Sequence, residues 1–197
     1  IGGCAGLGFM LFILMTNRYF RKKRRIAAVC SGFLVVMLII LTNTPVVERI
    51  LTFEQKEDMP SFSGRTLVWK GIVEMIKDYP VFGTGPGTFA NRFTQYQPPG
   101  QGARYSMGHN DYLHFTAEVG LPLAAVMLWM IFSFFKSGLR KLKHRSRLIR
   151  GAALGGMAGV TAILVHGIGD FNLHIPANAV LFTVIAALTV GPVQRHR

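Results

Sequence analysis

Charged residues are scarce in this chain and acidic ones scarcest, with nine Asp and Glu against 22 Lys and Arg, 16% charged in all over 197 residues. A soluble domain carries about 25%, so the deficit argues against an ordinary water-exposed surface. Cysteine is rarer still. Cys4 and Cys30 both fall in or beside apolar runs, which leaves no disulfide framework and no cysteine-rich metal site, only small buried thiols. The HExxH pattern is also missing, and the histidines are poorly spaced for a metal: His109 and His114 are five apart, His166 and His174 eight apart. No metal and no other cofactor is expected.

Apolar sequence is what the chain has in quantity, at 50% hydrophobic residues and a mean hydropathy of +0.36. Five runs approach the roughly 20 residues that a bilayer-crossing helix needs. They are 1–16, 26–42, 120–135, 151 to about 168, and about 175–190. The first run has neither a leading methionine nor a basic n-region, so it does not read as a signal peptide. The expectation is a chain that starts inside a helix of a longer protein.

A net charge of +13 suggests nucleic acid until the positions are inspected. A nucleic-acid binder spreads basic residues over a soluble face. Here they sit in short blocks between apolar runs: Arg18 and Arg21 to Arg25, seven residues within 136–150, and Arg195 with Arg197. These blocks hold 15 of the 22 basic residues and none of the acidic ones. Basic loops mark the cytoplasmic side, with some attraction to lipid headgroups. Nucleic acid is excluded as a partner, and membrane lipids take its place.

Alternation then gives the expected architecture: an all-α integral membrane protein, a polytopic helix bundle with about five spans and a large, partly helical periplasmic loop. Residues 1–43 would hold two spans, 44–119 the periplasmic loop, and 120–197 three spans with a basic cytoplasmic loop and tail.

An outer segment of that length is too long for a connector and is where function is expected. Leu67, Ile72, Met75, Ile76 and Tyr79 recur near helical spacing, with Ser63 as N-cap and Pro80 as terminator. Arg65 falls in the first turn, where unpaired backbone N–H groups and a guanidinium suit a phosphate. The alternative is an arginine paired to Glu118 or Asp111 for stability. Gly83-Thr84-Gly85-Pro86-Gly87 reads as a tight turn or a place of close backbone approach to a ligand, not as a dinucleotide fingerprint. Residues 95–104, with Pro98, Pro99, Gly100 and Gly102, have the composition of a lid. Two polar clusters lie at the outer ends of spans, where such groups are costly unless they face water or serve a function. One contains His109, Asn110, Asp111 and Glu118; the other contains His166, Asp170, Asn172 and His174.

Four features in this order resemble the O-antigen ligase/polymerase superfamily of bacterial membrane glycosyltransferases. They are Ser-Gly-Arg-Thr-Leu-Val-Trp at 63–69, Gly-Thr-Gly-Pro-Gly-Thr-Phe at 83–89, His109-Asn110 followed by Glu118-Val119-Gly120, and Asp170-Phe171-Asn172-Leu173-His174. The superfamily includes ligases, Wzy-type polymerases and protein O-oligosaccharyltransferases, and the resemblance covers about residues 60–190. It implies a GT-C-like fold in the bacterial inner membrane with its active face in the periplasm. It also implies metal-independent transfer of a glycan from undecaprenyl diphosphate to a hydroxyl of a glycan, a lipid A core or a protein. By motif, Arg65 would hold the diphosphate and His109 would lie at the acceptor. Arg92, Arg104, Asn110, Glu118, Asp170 and His174 are candidate substrate-binding residues. The rival readings are a transporter or flippase without transferase activity, and a structural assembly subunit.

Overall fold

The computed structural model describes residues 2–16, 62–97 and 104–191, with a few isolated positions between 28 and 39. Most of the expected second span, residues 44–61, the lid residues 98–103 and the tail from 192 lie outside the described residues. The described part is helical, with no strand among the described residues. The helices are α1 (Gly2–Thr16), α2 (Phe62–Asp78), the short α3 (Phe89–Arg92), α4 (Asp111–Lys141), α5 (Arg147–His166) and α6 (Pro176–Val190). Single 3₁₀ turns follow α3 at Phe93–Gln95 and precede α6 at Asn172–His174.

The chain divides into two compact units, one of residues 1–36, 129–166 and 172–197, the other of residues 37–128 and 167–171. In the first, α1 packs on α5 and α5 on α6. Ile13, Leu14, Leu142, Ala153, Leu154 and Met157 form its buried core. The close approach of α1 to α5 depends on small residues: a Cβ on Gly2 would lie 2.3 Å from the Ala162 carbonyl oxygen, and one on Gly6 2.6 Å from that of Ala158. Glycines four apart let two helix backbones meet where lipid offers no hydrophobic drive. Gly6→Leu should therefore lower thermal stability in detergent by about 1–3 kcal/mol. Gly8→Leu is the matched control, since nothing among the described residues lies within 4 Å of that Cβ. Equal melting of the two variants would refute this account of the contact.

Two helices, α4 and α5, are long and apolar enough to cross a membrane; α1 and α6 are apolar but only 15 residues each. Such a helix measures about 22 Å at 1.5 Å per residue. Along α4, Leu123, Val126, Leu128, Met130 and Phe132 are all exposed, the pattern of a helix meant for an apolar surrounding.

In the second unit, α2 buries Val68, Ile72 and Met75 against Phe89, Phe93 and Ala117. Spacings of four and three put those side chains on one stripe. Leu67 and Tyr79, expected on that stripe, are exposed at 45% and 37%: the stripe runs one residue further along, through Val68. The helix also opens at Phe62, so Ser63 sits in its first turn and not at the N-cap. At the other end, the Tyr96 hydroxyl donates to the Asp78 carboxylate at 2.6 Å. That bond pushes the Tyr96 pKa up to about 12.

The break inside α4 sets the geometry of everything nearby. Gly120 has φ 81° and ψ 169°, far from helical, and Pro122 follows two residues later. The Leu121 N–H turns away to the Pro80 carbonyl (2.8 Å), and Pro122 has no N–H to give. The carbonyls of Ala117 and Glu118 thus lose their helical donors. Thr84 and Gly85 supply replacements, at 3.0 and 2.9 Å. The glycine-rich turn is therefore a tight turn whose backbone docks on another backbone. A Cβ on Gly83 would lie 2.3 Å from the Glu118 carbonyl carbon, and one on Gly120 2.1 Å from the Val81 carbonyl oxygen. Buried backbone groups must find partners, and these two motifs complete each other.

Candidate functional site

Three stretches of the second unit converge: the N-terminal half of α2, the segment running into α4, and the loop 167–171. Arg65 and Trp69 are one helical turn apart on α2, so they share a face. Arg65 donates through Nη1 to the Gly169 carbonyl at 3.0 Å. Trp69 donates through Nε1 to the Gly108 carbonyl at 3.1 Å. One helix face thereby holds both loops. A third tie joins the loops themselves, since the Asp111 N–H donates to the Gly167 carbonyl at 2.8 Å.

His109 sits between these anchors, half-buried, with its ring edge-to-face on Phe171 at 5.3 Å between centroids. Its φ of 48° places it in the left-handed region, which costs a non-glycine residue roughly 1–2 kcal/mol. Two effects hold its pKa below the ordinary 6.5: burial first, then the positive charge of Arg65, with the Asp170 carboxylate opposing them. Arg65, His109 and Asp170 are thus brought into one electrostatic neighbourhood. The Arg65 Nε is buried without a hydrogen-bond partner among the described residues, so part of the fork remains for a further acceptor.

The remaining candidates are placed as follows. Asn110 caps α4, its Oδ1 accepting the Leu113 N–H at 3.0 Å, the usual work of an N-cap asparagine. Glu118 is buried, and its Oε1 accepts the Phe89 N–H at 3.1 Å and faces the His114 Nε2 at 3.5 Å. Arg104 is tied to the Ala90 carbonyl at 3.1 Å and to the Asn91 side chain. Arg92 is exposed in the last turn of α3. Asp170 accepts the Phe171 N–H on its own Oδ1 at 2.9 Å. His174 belongs to the other compact unit, half-buried in its 3₁₀ turn.

Sequence reasoning passed over His114 and Trp69 as parts of the site. Trp69 lies in the segment 63–69 and is one turn beyond Arg65, a spacing that was available in the sequence. His114 stands four residues before Glu118 on α4, a spacing the sequence also offered, but its packing on Phe89 has no local trace.

The arrangement offers a guanidinium with spare donors beside a neutral imidazole, both outside the apolar part of α4. This is suited to binding an anionic group while handling a proton on a neighbouring hydroxyl. A family model described as O-Antigen ligase matches residues 1–128. The match takes in Arg65, the glycine turn, His109 and Gly120, and ends before Asp170. No curated protein sequence matches the chain.

Proposed function

Because the chain belongs to the O-antigen ligase family, a family of membrane enzymes that join or polymerise glycans, we propose that it transfers a glycan from undecaprenyl diphosphate to an acceptor hydroxyl on the periplasmic face. The observation that carries this reading is that Arg65 and Asp170 lie in the electrostatic neighbourhood of His109, whose ring packs on Phe171. In the proposed reaction the acceptor oxygen attacks the anomeric carbon and the bond from that carbon to the diphosphate oxygen breaks. The acceptor proton passes to His109, and Arg65 meets the charge that develops on the leaving diphosphate. A preorganised cation stabilises such charge without a metal. The acceptor is a glycan, a lipid A core or a protein hydroxyl.

A general base must be unprotonated to act. The depressed pKa of His109 keeps its imidazole neutral at pH 7 and above. The acid limb of the turnover profile should accordingly fall below pH 6.5. Asp170→Asn removes a carboxylate that raises the pKa and should move the limb lower still.

The direct test uses purified protein, lipid-linked glycan donor and EDTA. Consumption of the donor with release of undecaprenyl diphosphate is expected, and His109→Ala should abolish most turnover while donor binding persists. His109→Gln separates orientation from proton transfer, since it retains polarity without basicity. Transport of intact donor with no bond cleavage would establish the flippase reading instead. For sidedness, a cysteine at the exposed position 94 (Thr94→Cys) should react with an impermeant thiol reagent in intact spheroplasts. Labelling only after lysis would place the loop in the cytoplasm.

A further inference from the structure

We infer that His114 is a positioning residue for His109, acting through the backbone of Gly108; the inference rests on the transferase reading above. His114 is buried, at 3% exposure, and its ring packs on Phe89 with centroids 4.1 Å apart. Its Nδ1 accepts the Gly108 N–H at 3.4 Å, while its Nε2 faces the Glu118 carboxylate at 3.5 Å. An Nδ1 that accepts must be bare, so the ring proton sits on Nε2, the nitrogen on the Glu118 side of the ring. The opposite side of Gly108 is held by Trp69, whose indole N–H donates to the Gly108 carbonyl. The N–H and the carbonyl of Gly108, which belong to the two peptide units flanking its Cα, are therefore both held, immediately before the left-handed His109.

That clamp explains how an unfavourable backbone conformation persists. A strained residue survives only where its surroundings over-determine it. Gly108 is itself confined, since a Cβ there would lie 2.8 Å from the Ile72 Cδ1. His114 also links the His109 segment to the glycine turn, because Glu118, on its Nε2 side, accepts the Phe89 N–H. The ring thus reports the seating of one motif to the other.

Two substitutions divide the ring's functions. In His114→Asn the side-chain oxygen occupies the place of Nδ1 and still accepts the Gly108 N–H; Glu118 retains the Phe89 N–H. In His114→Gln the amide nitrogen occupies the place of Nε2, so the Glu118 contact survives and the Gly108 N–H loses its acceptor. His114→Asn should retain turnover within a few-fold of the parent. His114→Gln should lose turnover on the order of 10²-fold, the scale of a misplaced reacting group, with donor binding unchanged. Hydrogen exchange over residues 105–110 should accelerate in His114→Gln and not in His114→Asn. Exchange judges the clamp without reference to activity: a parent protein that releases no diphosphate removes the transferase reading, whereas the exchange pattern still decides this one. Equal exchange in the two variants, or equal turnover losses tracking equal losses of melting temperature, would reduce His114 to a packing residue and overturn the inference.

Discussion

Replacing Arg65 with lysine should cut turnover by about 10²–10³, or about 2.7–4 kcal/mol of transition-state stabilisation, although the charge is retained. Lysine is a point charge on a flexible stem, whereas arginine presents a planar fork. In the structure one tine of that fork, Nη1, is spent on the Gly169 carbonyl, and the buried Nε has no partner among the described residues. A lysine can satisfy either the loop or an incoming phosphate oxygen, but not both in the same plane. Donor affinity should fall together with turnover, unlike in His109→Ala, where affinity persists. Removing the Arg65 guanidinium also relieves one of the influences that depress the His109 pKa, so in Arg65→Ala the acid limb should move upward. Parental turnover in Arg65→Lys, with the protein fully folded, would sink the assignment of the diphosphate to this residue.

The largest effect on stability is expected at Gly120. An alanine there would hold a φ of 81° with ψ 169°, a region essentially reserved for glycine. Its Cβ would also meet the Val81 carbonyl oxygen at 2.1 Å. Backbone strain and forced separation together should cost roughly 3–5 kcal/mol, a large part of the 5–15 kcal/mol by which ordinary proteins are stable. Gly87 supplies the comparison: its φ is 74°, yet nothing among the described residues lies within 4 Å of a Cβ placed on it. Gly87→Ala should therefore lose only about 1–2 kcal/mol. Thermal unfolding in detergent resolves the two, and a Gly120→Ala protein as stable as Gly87→Ala would contradict the docked geometry.

The sequence was most informative where a single segment carried the signal. The amphipathic α2 and the apolar stretch of α4 beyond Gly120 were readable from local pattern, and Arg65 and His109, singled out by motif, lie in one electrostatic neighbourhood. Choosing the buried stripe of α2 was harder, because Leu67 and Val68 are adjacent and a periodicity near 3.6 accepts either. Only the positions of Phe89 and Phe93 decide for Val68. Glu118 read as one member of a polar cluster; its acceptance of an N–H from Phe89, 29 residues away, has no local trace. Arg104, a candidate substrate-binding residue, is tied to the Ala90 carbonyl and the Asn91 side chain, contacts that no local pattern announces. Gly2 and Gly6 stand four apart in the sequence, but nothing local names α5 as the surface they meet.

The exchange of donors at the break in α4 constrains how such proteins can be recombined. The carbonyls at 117 and 118 draw their donors from Thr84 and Gly85, and the amide at 121 gives its proton to Pro80. A crossover between homologues placed in the long stretch between residues 89 and 108 would take the two halves of this joint from different parents. Such chimeras should assemble only when both parents keep the same chain path at 80–85 and 117–121. Crossovers after residue 128 leave the joint in one parent's hands, although they part Arg65 and His109 from their partners Gly169 and Phe171.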